Sequence, residues 1–197
     1  MMKRVLVLGG TGFVGRHVCE KASRLGCRLT VPTRKPGAGK LLLPLPWVDV
    51  EVADVHDEAA LTRLVRGHDA VVNLVAILHG TRAQFERAHV ALPQQLVQAC
   101  KAAGVRRIVH VSALGIGPEG GKEAPSNYLR SKTAGEAALR DSGDSGLALT
   151  LLRKYGCLLQ SVRRHPVCEA RLARKKAEAP SRGFQASHLS KIFATMV

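Results

Sequence analysis

The run RVLVLGGTGFVG, residues 4–15, constrains the fold of this chain more than any other stretch. Arg4–Leu8 is a short apolar run closed by glycines, the pattern of a strand buried on both faces of a parallel sheet. Gly10, Gly12 and Gly15 come next at GxGxxG spacing, and Phe13 to Leu25 carries apolar residues at helical spacing with Gly26 as the stop. A strand and a helix joined by such a loop suit a pyrophosphate. Gly10 permits the tight turn, Gly12 lets backbone approach the phosphates, and Gly15 lets the helix pack closely on the strand. The helix N-terminus then offers free N–H groups and a partial positive charge.

From there to residue 152 the chain repeats the strand–helix theme. Arg28–Val31, Val48–Val52, Ala70–Leu78, Arg107–Ser112 and Leu147–Leu152 read as further strands. Asp57–Arg66, Pro93–Ala103 and Ser126–Ser142 read as helices, and Thr81–Leu92 as a helical lead-in that Pro93 breaks or kinks. The expected class is α/β, a Rossmann-type doubly wound parallel sheet over residues 1–153. Ligands on such a sheet bind beyond the carboxyl ends of its strands.

Nucleotide choice is set after the second strand. An acid there would hold the ribose 2′-hydroxyl of NAD(H), but no acidic residue lies between Glu20 and Asp49. Arg34 and Lys35 stand in its place, and a 2′-phosphate needs cations. The expectation is NADP(H) over NAD(H), with Arg34 the main discriminator.

Tyr128 and Lys132, in YLRSK, lie one helical turn apart on one face. A free tyrosine titrates near ~10, and a neighbouring ammonium would lower that and suit it to acid–base work. Ser112 ends the fifth strand, on the ligand edge. These three are the expected catalytic residues, with Lys132 also reaching the nicotinamide ribose.

GGTGFVG, Asp54 after the third strand, HVSALG (110–115) and YLRSK (128–132) together resemble the short-chain dehydrogenase/reductase superfamily, in its extended or atypical, epimerase/dehydratase-like branch. The run HVALPQQLVQACKAAGVRRIVHVSALG with YLRSKTAGEAAL is similar to bacterial relatives of the NADPH-carrying accessory subunit of respiratory complex I. The resemblance implies that Gly9, Gly10, Thr11, Gly12, Phe13, Val14 and Gly15 hold the pyrophosphate. It puts Arg34 on the 2′-phosphate, Asp54 and Val55 beside the adenine, and Ala76 along the cofactor's centre. It gives Tyr128 and Lys132 the catalytic positions. Departures are Ala113, where active relatives usually carry a second hydroxyl, and His89, where the extended branch commonly has asparagine. The implied function is oxidoreduction or epimerisation of a carbonyl-containing substrate. The alternative is a non-catalytic nucleotide-binding module of a respiratory or quinone-related assembly.

Beyond residue 153 the pattern fades, and residues 154–197 are expected to be an atypical basic tail in place of the family's substrate domain, truncated or scrambled. Residues 1–152 hold 20 Lys/Arg against 13 Asp/Glu, whereas residues 153–197 hold 10 against 2, so most of the excess positive charge sits in the tail. Without interleaved aromatics it argues against a nucleic-acid partner. Codons can be chosen for RKYGCLL that, with two bases restored after Arg153, spell a family-like strand, so the tail is either native sequence or a frameshift product, and the sequence leaves both open. Cys157, Cys168, His165 and His188 match no zinc spacing, and no metal is expected. Five cysteines without a C-x-x-C pair fit reduced thiols. No run approaches the ~20 apolar residues of a membrane span, and MMKR runs directly into a strand, leaving no room for a leader. A cytoplasmic place is expected, at most peripheral to the inner membrane. Substrate and oligomeric state are not legible.

Overall fold

The computed structural model describes residues 2–113, 126–141, 147–155 and 158–163, with only the backbone described from residue 153 onward. Seven strands form one sheet in the order β3-β2-β1-β4-β5-β6-β7: β1 (Arg4–Leu8), β2 (Arg28–Thr33), β3 (Val48–Val52), β4 (Ala70–Asn73), β5 (Arg107–Ala113), β6 (Ala148–Tyr155) and β7 (Leu158–Arg163). The first six are parallel, as the strand–helix alternation requires. β7 returns antiparallel to β6, so the sheet runs past the point where the sequence pattern fades. The rest of the tail, including Cys157, His165, Cys168 and His188, lies outside the described residues.

Side-chain alternation along β1 divides the core. Val5 and Val7 face a cluster with Val18, Cys19 and Ala22 of α1 (Phe13–Arg24) and with Leu42 of the β2–β3 connection. Leu6 and Leu8 face the other side, where α2 (Glu58–Val65), α4 (Leu92–Ala103) and α5 (Asn127–Asp141) supply Leu61, Leu64, Leu92, Leu96 and Leu139. At ~1.5–3 kcal/mol per buried aliphatic side chain, these two layers are the main drive for folding.

Two elements depart from the sequence pattern. The apolar run 70–78 forms strand only to Asn73. β1 ends at Leu8, where Gly9 turns at φ +77°, so residues 74–78 lose their neighbour on that side, although β5 runs on to Ala113 on the other. Leu74 N–H still reaches the Leu8 carbonyl, but the next amide, Val75, is taken by the Asn73 side chain at 3.1 Å. The segment before Pro93 stays helical but changes type: α3 (Arg82–Glu86) passes through a π turn at 87–91 into α4. Pro93 has no N–H for the His89 carbonyl four residues back, and a wider turn absorbs the mismatch. At that carbonyl α5 makes its closest approach, where a Cβ on Gly135 would lie 1.7 Å from His89 O.

Candidate functional site

Strand order reverses between β1 and β4, and the carboxyl ends of these strands, with those of their neighbours, carry the predicted residues. The glycine loop is built from backbone. Gly9 holds φ +77°, and a Cβ at Gly15 would meet Gly9 O at 2.2 Å, so α1 seats directly on the loop. Gly10 is equally tight, its would-be Cβ lying 2.7 Å from Val31 Cγ1. Gly12 is exposed and caps α1 with no side chain, and no acid occupies the first turn. The amides of Phe13, Val14 and Gly15 therefore open an uncapped, positively polarised helix end. Thr11 is half-buried beside it. A pyrophosphate fits this cradle of glycines and amides.

Arg34 and Lys35 leave β2 exposed. They are oriented by Thr33, whose Oγ1 donates to Lys35 O (3.2 Å) and lies 3.3 Å from Lys35 N. β3 ends alongside: Ala53 N–H donates to Thr33 O at 3.0 Å, which brings Asp54 to the same edge. Asp54 Oδ1 accepts His56 N–H at 3.0 Å, and Oδ2 faces Arg87 Nη2 at 3.7 Å. Val55 packs half-buried against the core, while Ala76 is exposed in the stretch after β4.

The second half of the site is built from side chains. Tyr128 is half-buried, its ring 5.5 Å from that of His89 and edge-on to it, with Phe85 on another side at 6.5 Å. Lys132 is 1% exposed. Its Nζ donates to Val111 O at 2.8 Å and lies 3.3 Å from His110 Nε2. The lysine is thus engaged with β5, and the expected depression of the tyrosine is absent: burial pushes the Tyr128 phenol up. Burial also pulls the Lys132 ammonium down to about 8, with Glu136 opposing from one turn along the helix. Glu136 is itself fully buried and paired with Arg140. Ser112 is 2% exposed, its Oγ without a hydrogen-bond partner among the described residues.

His89 has a structural role the sequence does not advertise. Its Nε2 accepts Ile77 N–H at 3.1 Å, so the proton sits on Nδ1 and is donated to Ser131 Oγ at 2.8 Å. Ser131 in turn donates to Tyr128 O at 2.9 Å. One ring thereby ties the segment after β4 to the start of α5. Burial first, then Lys132, lowers its pKa to about 4, so it is neutral at pH 7. His110 is fully buried and held well below the usual histidine range by burial, then by Lys132 and His89. Its Nδ1 and the Nδ2 of its cross-strand partner Asn73 are buried without partners among the described residues. The spacing Lys132, Glu136, Arg140, one turn apart each, is the sequence signal that foreshadows the buried charge row.

No group of His, Cys, Asp or Glu among the described residues is placed to hold a metal, and no described helix is long and apolar enough to cross a membrane.

A family model described as NAD(P)H-binding matches residues 9–170. Mouse NADH dehydrogenase (ubiquinone) 1 alpha subcomplex subunit 9, mitochondrial, is 32% identical over 139 residues, 68% of this chain and 36% of that protein. Ceramide reductase of Caulobacter vibrioides is 31% identical over 157 residues, 77% of this chain and 46% of that protein. The chain thus spans between a third and a half of the length of these curated relatives. In structure it is similar to UDP-glucuronic acid 4-epimerase from Bacillus cereus, solved in complex with NAD. The TM-score is 0.65 with 21% identity, covering 76% of this chain and 56% of that one, a likeness of fold.

Proposed function

From the premise that this chain belongs to the NAD(P)H-binding family, as an atypical, epimerase/dehydratase-like short-chain dehydrogenase relative of the complex I subunit, we propose that it binds NADP(H) in preference to NAD(H). The observation that carries this is the exposed Arg34–Lys35 pair at the end of β2, beside a backbone-built phosphate cradle. Arg34 grips the 2′-phosphate and Lys35 adds charge, while Gly9 to Gly15 hold the pyrophosphate. Asp54 and Val55 flank the adenine, and Ala76 lines the middle of the cofactor.

A bound NADP(H) supplies or accepts hydride at the carbon of a carbonyl or alcohol. Tyr128 gives its phenolic proton to the carbonyl oxygen, or removes it in reverse. Ser112 Oγ, without a partner among the described residues, donates to the same oxygen. Lys132 must turn from Val111 O and His110 towards the ribose and the phenol, which lowers the Tyr128 pKa that burial raises. The test is direct titration with NADPH and NADH, for the wild type and Arg34→Ala, followed by turnover assays with carbonyl, sugar-nucleotide and quinone substrates. Tighter NADPH binding that Arg34→Ala weakens by about tenfold or more, with NADH unchanged, is expected. Equal affinities in the wild type would overturn the preference.

The engaged state of Lys132 favours a second reading, a nucleotide held as a structural or redox-sensing ligand without turnover. The mouse relative's name, a subunit of NADH dehydrogenase, makes a respiratory assembly the natural partner class. Stoichiometric NADPH with no turnover on any of those substrates is its signature.

A further inference from the structure

Besides Arg34 and Lys35 a third cation, Arg87, stands at this edge of the sheet, beside Asp54. Arg87 lies at the start of the π turn, and His89 two residues on is clamped by Ile77 and Ser131, so the backbone below Arg87 is fixed. Its side chain is 61% exposed, and its guanidinium faces Asp54 at 3.7 Å, an ion pair longer than a hydrogen bond and readily exchanged. The Asp54 carboxylate is oriented by His56 N–H, which donates to Oδ1 at 3.0 Å. His56 also reports the reach of both arginines: Arg87 and Arg34 each act on its ring electrostatically. Its Nδ1 is buried with no partner among the described residues. Arg87 therefore pairs with one half-exposed carboxylate, in a neighbourhood that Arg34 also reaches.

We propose that Arg87 is a second specificity-determining residue of the dinucleotide site, latched to Asp54 while the adenine pocket is open and released onto the 2′-phosphate when NADP(H) enters. The proposal rests on the reading of Arg34 as the main cation for that phosphate. As the adenine displaces Arg87 from Asp54, the freed guanidinium needs a new anion. The dianionic 2′-phosphate supplies one and a 2′-hydroxyl does not, so displacing the latch disfavours NAD(H) as well as favouring NADP(H).

The experiment is calorimetric titration of NADPH and NADH into the wild type, Arg34→Ala, Arg87→Gln and Asp54→Asn, with thermal midpoints of the nucleotide-free proteins alongside. Arg87→Gln should weaken NADPH by about tenfold while leaving NADH unchanged or tighter. Asp54→Asn, which removes the latch but keeps an oxygen for the adenine amine, should move selectivity the other way, towards NADPH. Arg87→Gln that leaves NADPH affinity intact, or weakens both nucleotides equally, overturns the proposal. So does an Asp54→Asn with no gain in selectivity, which decides the matter even if the arginine variant folds poorly. If the wild type shows no preference for NADPH, the Arg34 reading falls first. If Arg34→Ala abolishes a preference that Arg87→Gln leaves untouched, only the latch falls.

Discussion

The two halves of the ligand edge are made of different material. The loop from Gly9 to Gly15 is backbone: Gly10 and Gly15 are packed too closely for any Cβ, and an uncapped helix end lies beside them. The edge formed by β5 and α5 is side chain: Lys132, His110, His89 and Glu136, each with at most 1% of its surface exposed, already bonded to one another or to nearby carbonyls, amides and hydroxyls. A backbone cradle is ready for phosphate whatever surrounds it. A buried side-chain row is ready for chemistry only if one member changes partner. Under the proposed function, binding and turnover are therefore separable, and binding is the more robust of the two.

The largest effect should come from breaking the cradle. Gly15→Ala places a Cβ 2.2 Å from Gly9 O and must part α1 from the loop. Nucleotide binding should fall below detection, with about 1–3 kcal/mol of stability lost to overpacking, measured by titration and urea unfolding. Gly135→Ala meets the His89 carbonyl at 1.7 Å and should cost as much stability or more, because α5 must move off the π turn.

Lys132→Met sharpens the contrast from the other side. It leaves His110 Nε2 and Val111 O without their donor, and stability should drop by about 1–3 kcal/mol, while NADPH binding loses the ribose contact of Lys132 but keeps the cradle and survives. Tyr128→Phe is milder. The half-buried ring keeps its packing against His89 and Phe85, so stability and binding should stay within about 0.5 kcal/mol of wild type, and any turnover should vanish.

The smallest effects are in pH dependence. With His89 at about 4 in the fold and 6.5 as its ordinary value, the unfolded chain binds the extra proton between those values. Stability should fall as pH drops from 6.5 towards 4, His110 contributing with the same sign, and His89→Asn should flatten the slope. Lys132 acts at the other limb. The unfolded chain keeps a proton between about 8 and 10.5 that the folded one releases, so its contribution favours folding as pH rises through that window. Lys132→Met should remove that rise. Unfolding midpoints across both ranges check the two limbs.

The same division explains what the sequence made legible. β1 and β3 end where their apolar runs end, and the glycine spacing marks the loop, because local pattern decides these features. β4 falls short of its apolar run because β1 turns away at Gly9 and the Asn73 side chain takes the Val75 amide, facts of pairing that the run 70–78 does not contain. Pro93 announces a kink, yet the chain stays helical through a π turn at 87–91, which a proline alone does not specify. The positions of Tyr128, Lys132 and Ser112 on the ligand edge follow from the strand order. The engagement of Lys132 by His110 does not, because it depends on two residues 22 apart meeting inside the core. His89 stood out in the sequence only as a substitution for asparagine, and its clamp between Ile77 and Ser131 needs the third dimension.

The most direct test of a binding site built into the backbone and read by Arg34 is thermal unfolding of the purified chain with NADPH, with NADH and with neither. A ligand that binds only the folded state raises the midpoint by linkage. A clear rise with NADPH and a smaller one with NADH is the expected result. No shift with either nucleotide would contradict the ready-made cradle, and a larger shift with NADH would contradict the role of Arg34.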